Sequence, residues 1–119
     1  MNPTSAGRWG EELVCGYIHE MGMQILKRNY RFGREEIDII ARDGDVTVFI
    51  EVKQRENTLK GLPQEAVTRF KQRAIIRTAL GYMKQNHLLD SRVRFDVAAV
   101  LGSDITYIKN AFDATGVIR

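Results

Sequence analysis

The stretch EIDIIARDGDVTVFIEVK, residues 36–53, constrains the fold of this chain more than any other part of the sequence. Two runs rich in apolar and β-branched residues flank an Asp-Gly pair, which is a strong short-range signal for a β-hairpin turn. We predict the turn at Arg42–Asp45, with Asp43 and Gly44 as its central residues. The rest of the chain is therefore expected to pack around a sheet that contains these two strands.

A helix and a strand are predicted before the hairpin. Apolar residues recur every four positions from Arg8 to Met21, which predicts an amphipathic helix that ends near Gly22. The stripe consists of Trp9, Leu13, Tyr17 and Met21, widened by Val14 and Ile18. For aromatic residues at such spacing, here Trp9, Tyr17 and Phe70, we favour core packing over stacking on nucleic-acid bases. MQILKRNYRF then predicts the first strand.

One long helix and two strands are predicted after the hairpin. ENTLKGLP is expected to be a loop, with Pro63 in the first turn of a helix that runs to about Asn86. VRFDVAAVL, residues 93–101, and ITYI predict two strands, and a short closing helix is expected near Asn110 to Ala114. The order α-β-β-β-α-β-β indicates an α/β fold with a mixed sheet flanked by two helices.

The overall composition predicts one ordinary globular domain over residues 1–119, with 44% apolar and 28% charged residues. The single Cys15 can form no internal disulfide, and His19 and His87 lack zinc-site spacing, so we expect a reducing, cytoplasmic setting. We expect no membrane span and no signal peptide, because no apolar stretch is long enough and the N-terminus lacks the basic-then-apolar layout. The net charge of +3 weakly favours anionic partners.

The hairpin is expected to bring three charged residues to one face of the sheet. Side chains alternate along a strand, so Glu51 and Lys53 share a face, and Asp38 on the first strand lies on the same side. In the register set by an Asp43-Gly44 turn, Asp38 is diagonal to Glu51, with Cβ atoms up to roughly 7–8 Å apart. One cation could therefore contact both carboxylates.

Two explanations for this charged group remain open. In the first, Lys53 neutralises Asp38 and Glu51 in a solvated ladder of ion pairs. In the second, the carboxylates bind Mg²⁺ or Mn²⁺, which keeps positions for water and for substrate phosphate. Such an ion polarises a scissile phosphate, and a neighbouring ammonium orients water or stabilises developing charge. Asp38, Glu51 and Lys53 are then the candidate catalytic residues for phosphodiester hydrolysis.

The spacing of Asp38 and Glu51-Val52-Lys53 resembles the catalytic core of the PD-(D/E)XK nuclease superfamily. The fuller string is similar to the YraN-like family of small bacterial proteins related to archaeal Holliday-junction resolvases. The likeness covers nearly the whole chain, through GEELV, RNYR, EIDIIA, FIEVKQR, the start of the long helix and RFDV. It implies a restriction-endonuclease-like fold, Mg²⁺ (or Mn²⁺) and DNA as partner. Glu35 stands where the family usually has glycine, which leaves the role of Glu36 open, and a homodimer is also left open.

The resemblance directs attention to further residues near the carboxylates. It points to an acidic residue on the first helix that matches Glu11, a third candidate metal ligand. Glu11 borders the apolar stripe whereas Glu12 should face water, although a helix N-terminal carboxylate is also favoured by the helix dipole alone. Lys71 either approaches the site or extends to solvent from an apolar flank. Arg94 and Asp96 are expected to bind each other in a structural role.

Basic residues predict where DNA would lie. A single-sign stripe on the long helix and three residues of the first strand are candidate phosphate contacts, which position nucleic acid without reading its sequence. They are Arg69, Arg73, Arg77 and Lys84, with Lys27, Arg28 and Arg31; Lys71 is also a candidate. The function we favour is a Mg²⁺-dependent DNA endonuclease acting on branched or structured DNA. The alternatives are a nucleic-acid-binding accessory protein with little catalysis, and a structural or interaction domain.

Overall fold

The computed structural model describes residues 3–55 and 67–114. Its elements are helix α1 (Pro3–Glu20), strands β1 (Gln24–Phe32), β2 (Glu35–Asp43) and β3 (Val46–Arg55), helix α2 (Arg69–Gln85), and strands β4 (Arg92–Leu101) and β5 (Asp104–Phe112). This confirms the predicted element order and the α/β class, and the architecture is compatible with a restriction-endonuclease-like fold.

The five strands form one mixed sheet in the order β1-β2-β3-β4-β5. Only β3 and β4 run parallel, and α2 lies in the connection between them. Each helix packs on its own hydrophobic cluster. The α1 cluster includes Val14, Ile18, Ile39 and Ile50, and the α2 cluster includes Ile75, Tyr82, Phe49 and Phe95. Within the described ranges, no helix has the length and hydropathy needed to cross a membrane.

The hairpin turn lies one residue later than predicted. Asp43 pairs with Val46, so Gly44 and Asp45 are the two turn residues, and Gly44 has φ 64°. Glycine tolerates this conformation without a steric penalty. Gly44 is one of the two turn residues both in the predicted turn and in the observed one. The pairing therefore moves by two residues, which leaves every side chain of the hairpin on its predicted face.

The predicted core role of two aromatic residues is wrong. Trp9 is 57% exposed and Phe70 is 75% exposed, whereas Val14 and Ile18 are fully buried. A repeat of four residues drifts by about 40° per step around a helix, so the stripe that starts at Trp9 follows the flank of α1 rather than its buried centre. Tyr17, also partly exposed, lies on this flank.

The start of α2 differs from the prediction. The helix begins at Arg69, and Thr68 is its N-cap, with Oγ1 accepting a hydrogen bond from the Lys71 backbone N–H at 3.2 Å. An N-cap side chain satisfies one of the N–H groups that a helix start leaves free. Pro63, the predicted first-turn residue, lies outside the described residues.

The predicted closing helix near Asn110 is also wrong, because β5 continues to Phe112. Asn110 has φ 53° within the strand, and its backbone N–H donates to Asp96 Oδ1 at 2.9 Å. The strand pairing is irregular at this point, between Phe95 and Val97 of β4. A tertiary hydrogen bond to a buried carboxylate therefore fixes a turn-like residue inside a strand.

Candidate functional site

Two carboxylates meet where the pairing of β2 and β3 ends. The last backbone pair is Ile39 with Ile50, and one further step along the strands sets Asp38 directly opposite Glu51. Asp38 Oδ2 accepts a hydrogen bond from the Val52 backbone N–H at 2.8 Å. The side chain of Asp38 thus takes the place of a backbone acceptor where the pairing of β2 and β3 ends. Glu51, beside Asp38, is only 5% exposed.

The environment of Asp38 disfavours its ionised form. Burial raises the pKa of Asp38 to about 8, and the charge of Glu51 and a hydrogen bond between the two carboxyl groups act in the same direction. The hydrogen bond from the Val52 N–H acts in the opposite sense. The raised pKa of Asp38 thus favours a proton on this half-buried group beside Glu51, unless a cation takes the place of the proton.

Two lysine side chains approach the same oxygen of Glu51. Lys53 Nζ lies 3.7 Å from Glu51 Oε2, and Lys71 Nζ lies 3.8 Å from it. Lys71 comes from the first turn of α2, so the start of this helix lies beside the half of β3 that carries Glu51. Of the two placements left open for Lys71, the structure therefore has the one at the carboxylates.

Asn29 links two further carboxylates near the pair. Its Nδ2 donates to Glu11 Oε1 at 3.0 Å and to Glu36 Oε1 at 3.1 Å. Burial raises the pKa of Glu11, the hydrogen bond from Asn29 lowers it, and the charge of Asp38 raises it again. Glu11 therefore lies within electrostatic reach of Asp38. We did not predict the role of Asn29, although its place in RNYR, with φ 51°, suits a residue that tolerates left-handed backbone.

The structure does not bring Glu11 into one cluster with Asp38 and Glu51, and its role as a third metal ligand stays a prediction. In residues 3–55 and 67–114, no three acidic, histidine or cysteine side chains converge on a point that could hold a metal ion. The residues present still fit a hard divalent cation, because Mg²⁺ is commonly held by one or two carboxylates together with water and substrate phosphate. Asp38 and Glu51 are therefore the two candidate carboxylate donors for such an ion.

Gly10 allows α1 to cross close to β3. A Cβ atom at this position would lie 2.6 Å from Gln54 Nε2, closer than real Cβ contacts allow. The absence of a side chain at Gly10 therefore leaves room for the Gln54 side chain between the start of α1 and β3. Gly10 is the first residue of the GEELV motif, but its role depends on a packing contact between α1 and β3, which a local sequence pattern does not reveal.

Two of the three basic residues predicted as phosphate contacts on β1 form ion pairs with carboxylates. Arg28 donates to Glu12 Oε1 at 2.6 Å, and Glu12 lies on the exposed side of α1, as predicted. Arg31 lies 3.1 Å from Glu36 Oε2 and is otherwise exposed. Their role in binding DNA stays a prediction, and either ion pair would have to open for such contact.

The arginine stripe of α2 faces solvent. Arg69, Arg73 and Arg77 are all exposed. Arg69 and Arg73, with Gln72, line a cavity of about 320 Å³ against Phe112 of β5. These exposed guanidinium groups place positive charge on one side of α2, where an anionic partner could reach it.

Arg94 and Asp96 bind each other, as predicted. Arg94 Nε donates to Asp96 Oδ1 at 2.9 Å, and its Nη1 donates to Asp43 Oδ2 at 2.9 Å. The Tyr107 hydroxyl donates to Asp96 Oδ2 at 2.6 Å, and the Asn110 N–H donates to Oδ1. Asp96 has no exposed surface and is fully hydrogen-bonded, which indicates a structural network between β4 and β5.

Comparison with known proteins gives one consistent match. A family model described as "Uncharacterised protein family UPF0102" matches residues 10–100, a range that contains every residue of the carboxylate site. A UPF0102 protein of Lachnoclostridium phytofermentans is 49% identical over 117 residues, which cover 98% of this chain and 99% of that protein. A UPF0102 protein of Geotalea daltonii is 47% identical over 112 residues, 90% of this chain and 88% of that protein. A third, from Syntrophotalea carbinolica, is 42% identical over 116 residues, 94% of both chains.

Proposed function

The chain belongs to the UPF0102 family, and from this premise we propose that it is a Mg²⁺- or Mn²⁺-dependent DNA endonuclease that hydrolyses phosphodiester bonds in branched or structured DNA. Asp38 and Glu51 hold the metal ion and Lys53 assists the chemistry. The observation that carries the proposal is the placement of the half-buried Asp38 carboxyl group beside the buried Glu51, with two lysines at Glu51.

A structural ladder of ion pairs does not account for this arrangement as well. Surface ion pairs alternate charges in water and contribute little to stability. Here a half-buried and a buried carboxyl group lie side by side, which costs stability whenever both are ionised, and perturbed carboxyl groups of this kind concentrate at functional sites. The Asp38 side chain, in place of a backbone carbonyl of β2, also accepts the hydrogen bond from the Val52 N–H. A binding or catalytic role explains why such a costly arrangement is kept.

Each residue has a distinct part in the proposed reaction. A bound divalent ion supplies Lewis acidity at the scissile phosphate and makes an attacking water easier to deprotonate. In the absence of such an ion, Lys53 and Lys71 balance the charge of Glu51. Once that charge is balanced by an ion, either ammonium can leave Glu51 and bind a phosphate oxygen. We assign Lys53 to the attacking water or to the developing charge, and Lys71 to a neighbouring phosphate.

A nicking assay tests this function. Purified protein is incubated with linear, forked and four-way DNA, in Mg²⁺, in Mn²⁺ and in EDTA. We expect cleavage that requires a divalent ion and is abolished in a Glu51→Gln variant. Binding to DNA without cleavage under any of these conditions would contradict the proposed activity.

Replacing Lys53 should separate catalysis from binding. We expect Lys53→Ala to lower the cleavage rate by about 10²-fold or more, the usual effect of removing one electrostatic or proton-transfer group. DNA affinity should change little. Lys109→Ala, which removes an exposed lysine on β5, is the matched control and should cleave at the wild-type rate. Equal decreases in affinity and rate would identify Lys53 as a phosphate anchor instead.

A second candidate function is a nucleic-acid-binding accessory protein with a nuclease-like fold and little turnover. The observation in its favour is the position of Glu11, which is held by Asn29 and not by the carboxylate pair. A metal site with two protein ligands is compatible with catalysis but also with weak or absent turnover. The nicking assay separates the two functions, because only an endonuclease requires the divalent ion for product formation.

The α2 arginines should carry part of the DNA affinity. We expect simultaneous replacement of Arg69, Arg73 and Arg77 by Gln to weaken binding to all DNA sequences alike. The slope of log affinity against log salt should flatten by up to about three, roughly one for each phosphate that the variant no longer neutralises. Arg92→Gln is the control, since Arg92 pairs with Val46 at the opposite end of β3 from the carboxylates. An unchanged slope in the triple variant would place the DNA elsewhere.

A further inference from the structure

Phe70 is the most exposed of the large hydrophobic side chains in the described ranges, at 75%. It belongs to neither hydrophobic cluster. A single exposed aromatic residue is ordinary on a protein surface. Phe70, however, stands between Arg69 and Lys71 on the first turn of α2, and the Lys71 ammonium lies 3.8 Å from Glu51 Oε2. The exposed ring therefore belongs to the same helical turn as a lysine that reaches the carboxylate site, and its neighbours in sequence are positively charged.

The geometry of α2 fixes the side on which Phe70 lies. Gly81 follows it by about three helical turns, so both residues lie on nearly the same flank. Phe32, the last residue of β1, packs against Gly81, where an added Cβ would lie 2.9 Å from its ring. At Gly81 this side of α2 is therefore covered by the end of β1, whereas at Phe70 it is open to solvent.

The arginines at the start of α2 lie on the other side of Phe70 from Lys71. At about 100° per residue, Arg73 and Arg69 are offset from Phe70 by about 60° and 100° in one direction, and Lys71 by about 100° in the other. Arg69 and Arg73 line their cavity with Phe112 of β5, at one edge of the sheet, whereas Lys71 reaches Glu51. A nucleic acid that crosses the start of α2 would thus meet a lysine at the site, an aromatic ring and a pair of arginines in sequence.

Given the proposed nuclease function, on which this inference rests, we propose that Phe70 stacks on an unpaired base next to the scissile phosphate. The base faces of a continuous duplex are covered by their neighbours, so a protein ring can stack only on bases that are unpaired or displaced. The positive charges beside Phe70 fit the phosphates on either side of such a base. The substrate class is therefore DNA with unpaired bases, as at forks, flaps and open junctions, in preference to continuous duplex.

Binding measured in EDTA tests this without any cleavage. Forked DNA with unpaired thymines and a continuous duplex of the same length are titrated with wild type and three variants. Phe70→Ala should bind the fork about tenfold more weakly or worse, as expected when one base–aromatic stack is removed, while its affinity for duplex changes little. Phe70→Leu keeps an apolar side chain without a π face and should behave like Phe70→Ala. Phe70→Trp should bind the fork as tightly as wild type.

A fluorescent base reports the stacking contact itself. With 2-aminopurine at the unpaired position, wild type should quench its emission and Phe70→Leu should not. The inference is overturned if Phe70→Leu binds the fork as well as wild type does, or if Phe70→Ala weakens binding to fork and duplex equally. Fork binding through Phe70 without metal-dependent nicking would instead refute the nuclease function and leave the stacking contact intact.

Discussion

In EDTA at alkaline pH, the Asp38→Asn variant should be more stable than the wild-type protein. The pKa of Asp38 is about 8 in the folded protein and 3.8 when unperturbed, chiefly because the group is buried and then because Glu51 is beside it. Between these values the folded state holds a proton that the unfolded state has released, so stability falls as pH rises through this window. Above this pH window, Asp38 is ionised in the folded protein, and the full free-energy cost of its charge beside Glu51 lowers the stability.

Asparagine avoids this cost because it has no proton to lose. Its side-chain oxygen can accept the Val52 N–H and its amide can donate to Glu51, as protonated Asp38 does. At roughly 1.4 kcal/mol per pKa unit, we expect the variant to gain a few kcal/mol over wild type in alkaline solution and almost nothing near pH 4. Thermal melts of both proteins across this pH range measure the difference. Asp104→Asn, at an exposed position, should follow the wild-type profile.

A variant that is less stable than wild type at every pH would contradict this expectation. It would mean that the ionised Asp38 carboxylate stabilises the fold, as the ladder of ion pairs with Lys53 requires. A gain in stability of Asp38→Asn over wild type that is the same at every pH would also contradict this expectation, because the expected free-energy cost depends on the titration of Asp38.

Asp96→Ala should destabilise the protein by about 3–5 kcal/mol, the usual cost of removing one member of a buried ion pair. The change deprives Arg94 of one of its two carboxylate partners and leaves the Tyr107 hydroxyl and the Asn110 N–H without their acceptor. For a domain of this size, such a destabilisation lowers the melting temperature by about 10 °C or more. Asp104→Ala is the control and should shift the melt by about 2 °C or less, because exposed substitutions change stability little.

The Asp96 variant also tests how the end of β5 is held. If Asn110 depends on Asp96, amide hydrogen exchange of the Asn110 N–H should become much faster in the variant while the strands of the hairpin keep their protection. Equal stability of Asp96→Ala and wild type would show that the network can be replaced by water, and the structural role assigned to it would be wrong.

The side of the sheet on which each strand residue lies could be predicted from the sequence, because side chains alternate between the two sides along a strand. The prediction placed Asp38 diagonal to Glu51, and the structure places it directly opposite, yet both registers put the two carboxylates on one face. The pairing register of β2 and β3 could not be predicted, because Gly44 can serve as either the first or the second turn residue. The correct register brings the carboxyl groups closer than expected.

Contacts between distant elements account for what the sequence did not predict. The meeting of Lys71 with Glu51 requires the placement of α2 over the sheet, and the bridge from Asn29 to Glu11 requires the crossing of α1 beside β1. Periodicity within one segment carries no information on any of these distances.

The binding of a divalent ion to the folded protein is the most direct test of the Asp38–Glu51 site. Thermal unfolding is followed at one pH near neutrality while Mn²⁺ or Mg²⁺ is raised into the millimolar range. Wild type should gain stability as RT ln(1 + [L]/Kd), since only the folded state assembles the pair, and Asp38→Asn should gain much less. Asp104→Asn should respond as wild type does. If wild type shows no metal-dependent shift, Asp38 and Glu51 serve only as partners of the lysines, and the nuclease proposal loses its central support.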